Sequence, residues 1–156
     1  MGNCNCNNNQ SRIDDLVCEF GVEVDNWDCS CYNGSDTYAE LVLEVKQGEA
    51  RPFGFTIEKD DQPFDLTGWT INFMVKKAPY AKLSSIISKT ITETYSSDGH
   101  IYSPLTGEFE AFITEEDTTE LPPYDYSLVI EMTDGEQILN ISGNCNTRSV
   151  FRICCQ

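Results

Sequence analysis

Four segments of this chain alternate apolar and polar residues with a period of two. Trp69, Ile71, Phe73 and Val75 are interleaved with Thr70, Asn72, Met74 and Lys76, and Phe53, Phe55 and Ile57 repeat the pattern, as do Phe109, Ala111 and Ile113. Tyr124, Tyr126, Leu128, Ile130 and Met132 carry it furthest. Successive side chains of a strand point to opposite faces, so this period builds sheets that turn one face to a core, whereas a helix repeats every 3.6 residues. Ile86–Thr94 is rich in Ile and Thr, and Ile138–Ser142 and Val150–Ile153 supply two more short strands; β-branched side chains suit a pleated, half-buried surface. Turn formers stand between these runs at Lys59-Asp60-Asp61-Gln62-Pro63, Ser97-Asp98-Gly99, Leu105-Thr106-Gly107, Pro122-Pro123 and Asp134-Gly135. Only Thr114–Thr118 reads as helical, with a threonine cap and an acidic first turn. The fold predicted is mainly β, an antiparallel sandwich with Trp69, Phe73, Phe109, Tyr126, Leu128 and Ile130 inside.

Composition changes near residue 37. Five of the eight cysteines lie before it, none falls between Thr37 and Ser142, and Cys145, Cys154 and Cys155 close the chain. We therefore divide the sequence into a Cys- and Asn-rich N-terminal arm, residues 1–37, and a sandwich domain, residues 38–156. The arm has one strand-like apolar island, Leu16–Val24. It carries too few large apolar groups to offset an ordering entropy of ~1–2 kcal/mol per residue, so thiol chemistry is expected to fix it to the C-terminal end of the sandwich. Cys4-x-Cys6 and Cys29-x-Cys31 supply four thiolates, enough for one tetrahedral structural Zn²⁺, although Cys-x-Cys is tighter than the usual ligand spacing. The same cysteines are open to disulfides or to free thiols. Cys4, Cys6, Cys29 and Cys31 are the first candidates for a metal.

Charge narrows the partners. Ten Lys and Arg against 26 Asp and Glu give a net charge of −16, which repels a phosphate backbone, so nucleic acid is not expected as a partner. No run approaches the ~20 apolar residues of a membrane span. The start reads as no signal peptide, and Cys6 stands where a myristoylation motif has Ser or Thr. The single histidine, His100, follows Ser97-Asp98-Gly99 and reads as a solvated turn residue; no Gly-x-Ser-x-Gly and no phosphate-binding Gly-Lys-Ser/Thr occurs. Glu108 and Glu110 flank Phe109 on the outward face of a strand rather than forming a catalytic pair. The expectation is a chain that is no enzyme. Lys76, Lys77, Lys82 and Lys89 fall in a stretch with no acidic residue between Phe73 and Thr92. This stretch is either a solvated loop or a basic prong that meets the acidic turn Glu115-Glu116-Asp117 of a neighbouring copy. The interface residues expected are Lys76, Lys77, Tyr80 and Lys82, with Trp27 adding apolar area.

The order of signals over residues 41–143 resembles the N-terminal domain of phage baseplate upper proteins and related tail modules. The residues that carry the resemblance are Phe64-Asp65-Leu66-Thr67-Gly68-Trp69-Thr70-Ile71-Asn72-Phe73, Gly107-Glu108-Phe109-Glu110-Ala111, Thr114–Thr118, Tyr124–Glu131 and Ile138–Gly143. Pro122-Pro123 stands where family members often have Gly, and the cysteine-bearing ends are foreign to the pattern. The resemblance implies an immunoglobulin-like sandwich acting as a structural component of a tailed-phage virion, a tail or baseplate adaptor made in the host cytoplasm. Its partners would be other virion proteins and further copies of itself. Capsid decoration or head-fibre attachment is the neighbouring reading. A carbohydrate-binding sandwich, and a metal-binding or redox protein built around the thiols, are the readings from other classes.

Overall fold

The computed structural model describes residues 20–25, 41–78, 84–141 and 149–155. In chain order the elements are β1 (Phe20–Asp25), β2 (Leu41–Lys46), β3 (Arg51–Lys59), β4 (Gln62–Pro63), β5 (Thr70–Lys76), β6 (Ile87–Ile91), β7 (Gly99–Ser103), β8 (Glu108–Ile113), α1 (Glu115–Thr119), β9 (Tyr124–Thr133), β10 (Ile138–Asn140) and β11 (Ser149–Cys154). The architecture is mainly β, in two sheets. Sheet A runs β1-β3-β8-β7, with β4 paired to β3; sheet B runs β2-β11-β9-β5-β6, with β10 paired to β9. β1, from within the segment read as an arm, pairs with β3 from Phe20 opposite Lys59 to Asp25 opposite Gly54.

One pairing departs from the antiparallel expectation. β2 and β11 run parallel, from Leu41 beside Ser149 to Lys46 beside Cys154. Parallel neighbours need a long crossover, and here every strand from β3 to β10 lies between them in sequence.

The period-two residues meet between the sheets. Phe53 and Phe55 of β3, Phe73 of β5, Phe109 of β8 and Phe151 of β11 are all buried. Phe55 stacks on Phe109 at 4.9 Å within sheet A and reaches Phe73 of sheet B at 6.1 Å. Phe151 meets Phe73 and Phe53 edge-on, each at 6.3 Å. Offset and edge-to-face arrangements of this kind suit aromatic quadrupoles. Tyr126, Leu128, Ile130 and Met132 of β9 are buried as expected, while Tyr124, at the strand's first position, is exposed.

Trp69 corrects its expectation. The residue delivered to the core by the Asp-Leu-Thr-Gly corner is Leu66, fully buried, whereas Trp69 is half-buried and packs edge-on against Phe64 at 5.6 Å. The corner explains the difference. Asp65 Oδ1 accepts from the Thr67 N–H (2.9 Å) and hydroxyl (2.6 Å), and these bonds hold its carboxyl below the ordinary value. The Leu66 N–H donates to the Pro104 carbonyl at 2.8 Å, and Trp69 N–H closes a turn onto the Leu66 carbonyl at 3.0 Å. Gly68 sits at φ +81°, the left-handed third position that a type II turn needs.

α1 closes one end of the sandwich. Thr114 and Asp117 form a reciprocal capping box. Asp117 also binds Lys89 at 2.7 Å, and Lys89 is only 6% exposed. β6 alternates Ile87, Lys89 and Ile91 inward, so Lys89 enters the interior with the apolar residues. This corrects the reading of residues 76–89 as one exposed basic stretch. Its last lysine is committed inside the chain, to a member of the acidic turn expected to receive a neighbour.

Candidate functional site

The sites expected from sequence separate into two groups. Cys4, Cys6, Cys29, Cys31, Trp27, Tyr80 and Lys82 lie outside the described residues. Lys76 ends β5 on the outer face of sheet B, half-buried, and Lys77 follows it, exposed. Among the described residues, no group of three or more His, Cys, Asp and Glu side chains is placed to hold a metal ion. Nor is any described helix long and apolar enough to cross a membrane.

The first unusual surface is on sheet B. In β2, Leu43 and Val45 face the inter-sheet core, and so do Phe151 and Ile153 in β11. Their alternates Val42, Glu44, Val150 and Cys154 point to the other side, yet all four are buried. Both faces of this parallel pair are therefore covered. Cys154 is disulfide-bonded, whereas Cys155 is free and exposed. A disulfide sulfur has no proton to donate, so the 3.8 Å approach of Cys154 Sγ to Glu44 Oε2 is a packing contact. Arg152, beside Glu44 in the register, holds Asp125 by two bonds, Nε to Oδ1 at 2.7 Å and Nη2 to Oδ2 at 3.0 Å.

The second surface is the outer face of sheet A. β8 turns Glu108, Glu110 and Phe112 outward, as the alternation predicts. Opposite them on β3 stand Thr56, Gly54 and Pro52, and His100 of β7 is opposite Glu110. Tyr95, 70% exposed, lies over this end of the sheet, with its ring 5.5 Å from His100 and 5.6 Å from Phe112. A shallow apolar depression beside it is lined by Ala50, Arg51, Pro52, Tyr95, Phe112 and Ile113. The Arg51 guanidinium is turned away, donating Nη1 to the Glu44 carbonyl at 3.0 Å. His100 Nε2 lies 3.1 Å from the Glu93 carbonyl, so Nε2 carries a proton and donates, and in the neutral ring Nδ1 is the acceptor. Glu110 has no side-chain hydrogen bond or ion pair among the described residues. The patch thus presents aromatic faces and hydrogen-bond acceptors. His100 is part of an aromatic cluster rather than the solvated turn residue expected from sequence. No local signal reveals that, because it is Tyr95, from a turn, that meets His100 on one side and Phe112 of another strand on the other.

No family model matches the chain, and no curated protein matches it. Among solved structures, it is similar to a chain from the structural analysis of a family 123 glycoside hydrolase of Clostridium perfringens, at 10% identity and a TM-score of 0.40. The match covers 88% of this chain, which spans only 28% of the length of that one. The expectation that the chain is no enzyme is withdrawn on this finding, since the similar chain belongs to a hydrolase. At that TM-score the likeness carries no argument about what this chain binds or acts on.

Proposed function

We propose that the chain is a structural component of a tailed-phage virion, a tail or baseplate adaptor that works through contacts with other virion proteins and with further copies of itself. The observation that carries the reading is the order of elements along the sandwich. Each segment of the resemblance forms its own element in the expected sequence: the Asp65–Trp69 corner and β5, then β8, the capped α1, β9 and β10. An immunoglobulin-like connectivity is supported by the sheet orders β1-β3-β8-β7 and β11-β9-β5-β6, which follow the A-B-E-D and G-F-C-C′ orders of such domains. The Tyr126 hydroxyl donates to the Pro122 carbonyl, 2.8 Å away and four residues upstream, a tyrosine corner of the kind these domains use.

Cys4, Cys6, Cys29 and Cys31 belong to the same proposal as thiols that hold structural zinc or form disulfides, and metal analysis before and after chelation, with free-thiol counting, separates the two. Mass spectrometry of purified particles tests the reading itself. The chain should be recovered in several copies per particle, and the Lys76→Glu/Lys77→Glu variant should incorporate more slowly while its isolated fold is unchanged. Absence of the chain from purified particles would refute the proposal.

A further inference from the structure

We propose that the patch formed by Tyr95, Phe112, Glu110 and His100 on sheet A docks the exposed Lys77, just past the end of β5, from a second copy of the chain. This gives the reading above a partner surface and rests on it.

The four side chains are contiguous. Tyr95 touches the rings of His100 and Phe112, Glu110 is the cross-strand partner of His100, and Glu110 and Phe112 share the outward face of β8. The Glu110 carboxylate only accepts, the Tyr95 hydroxyl and the Nδ1 of a neutral His100 ring can accept, and the rings offer π faces. A ligand suited to both is a donor-only cation on an apolar stem, which is a lysine side chain. Among the described residues, Glu108 lies beside Glu110 on the same face of β8 and repeats its sign. Field and contacts therefore favour the same occupant.

The chain carries that occupant on its opposite side. Val75 points into the core, so Lys76 faces outward from sheet B, and Lys77 follows it into solvent. Packed sheets are ~10 Å apart, so a lysine on the outer face of one sheet does not reach the outer face of the other. The contact is thus between copies, sheet B of one against sheet A of the next, and is head-to-tail. The acceptor expected from sequence, the Glu115-Glu116-Asp117 turn, is the weaker choice because Asp117 is held by Lys89.

The test is sedimentation of the full chain at low and high salt, with charge-reversed variants. Wild type should associate with rising concentration at ~50 mM salt and less so at ~500 mM. Lys77→Glu and Glu110→Lys should each weaken association about tenfold, and mixing the two variants should restore it, because the reversed charges are complementary again. Tyr95→Ala should weaken association without altering the circular dichroism spectrum. Carbodiimide should join Glu110 to Lys77 between isotopically distinct copies. A chain that stays monomeric, or association that survives both reversals, would overturn the contact. Neither result bears on whether the chain is recovered with particles, and loss from particles with charge-dependent association intact would sink only the virion reading.

Discussion

Both faces of the β2–β11 pair bury side chains, and they differ in almost everything else. On the inner face, Leu43, Val45, Phe151 and Ile153 join a continuous apolar core that spans both sheets. On the outer face, Val42, Glu44, Val150 and Cys154 are buried with a carboxylate and a disulfide among them. The first kind of burial follows from period-two alternation and hydrophobic transfer, and costs nothing in unpaired polar groups. The second combines desolvation of a carboxylate with a covalent bond. Burial alone therefore does not identify the core of this molecule; the chemistry of what is buried does.

Damage to the inner face should be global and large. Phe109→Ala removes the partner stacked on Phe55 and should cost ~3–5 kcal/mol, read by chemical denaturation as one cooperative loss. A change below ~1 kcal/mol would break the claim that this ring is central to the core.

Damage to the outer face should be local. Reducing the Cys154 disulfide should cost ~2–4 kcal/mol and raise amide exchange in β2 and β11 before β5 and β9. Uniform acceleration across both sheets would erase the distinction between the faces.

The buried pair at the far end of sheet B sharpens the comparison, since it too places a charge inside. Burial works to raise the Asp117 carboxyl, and the Lys89 ammonium and the Thr114 N–H outweigh it, holding it below the ordinary value. A carboxyl depressed in the fold contributes stability that is fully present above the unfolded pKa of ~3.9 and is lost as pH falls through the lower folded value. Asp117→Asn should flatten that part of the pH–stability curve. It should cost about 2 kcal/mol at neutral pH, below the ~3–5 kcal/mol of a fully enclosed pair, because the Asp117 side of the pair is 20% exposed to water. The smallest effect expected is that of Tyr126→Phe, ~1 kcal/mol for the lost bond to Pro122, seen as a lower midpoint with unchanged cooperativity.

Alternation makes β3, β5, β8 and β9 legible in the amino-acid sequence, and Thr114 with its acidic first turn marks α1, because these signals are local and physical. Leu66 is hidden behind Trp69, since size suggests which residue is buried but turn geometry decides which one points inward. Lys89 is hidden because its partner comes from a different element, and no spacing along the chain relates β6 to α1. Tyr95 meets Phe112 by the same kind of long-range placement. β2 reads as Val42-Leu43-Glu44-Val45, and a strand buried on both sides loses the alternation that announces a strand.

The parallel pairing of β2 with β11 has a kinetic meaning. Leu41 lies beside Ser149, a separation of 149 − 41 = 108 residues. During synthesis β2 is made long before its partner, so its ladder groups stay open while β3 to β10 emerge. Contacts between such distant residues form late and lengthen folding times. An unpaired strand that rich in valine and leucine also invites wrong neighbours while it waits. By contact order, closing sheet B is a late step of folding, and the disulfide-bonded Cys154 sits at the end of the strand that completes it.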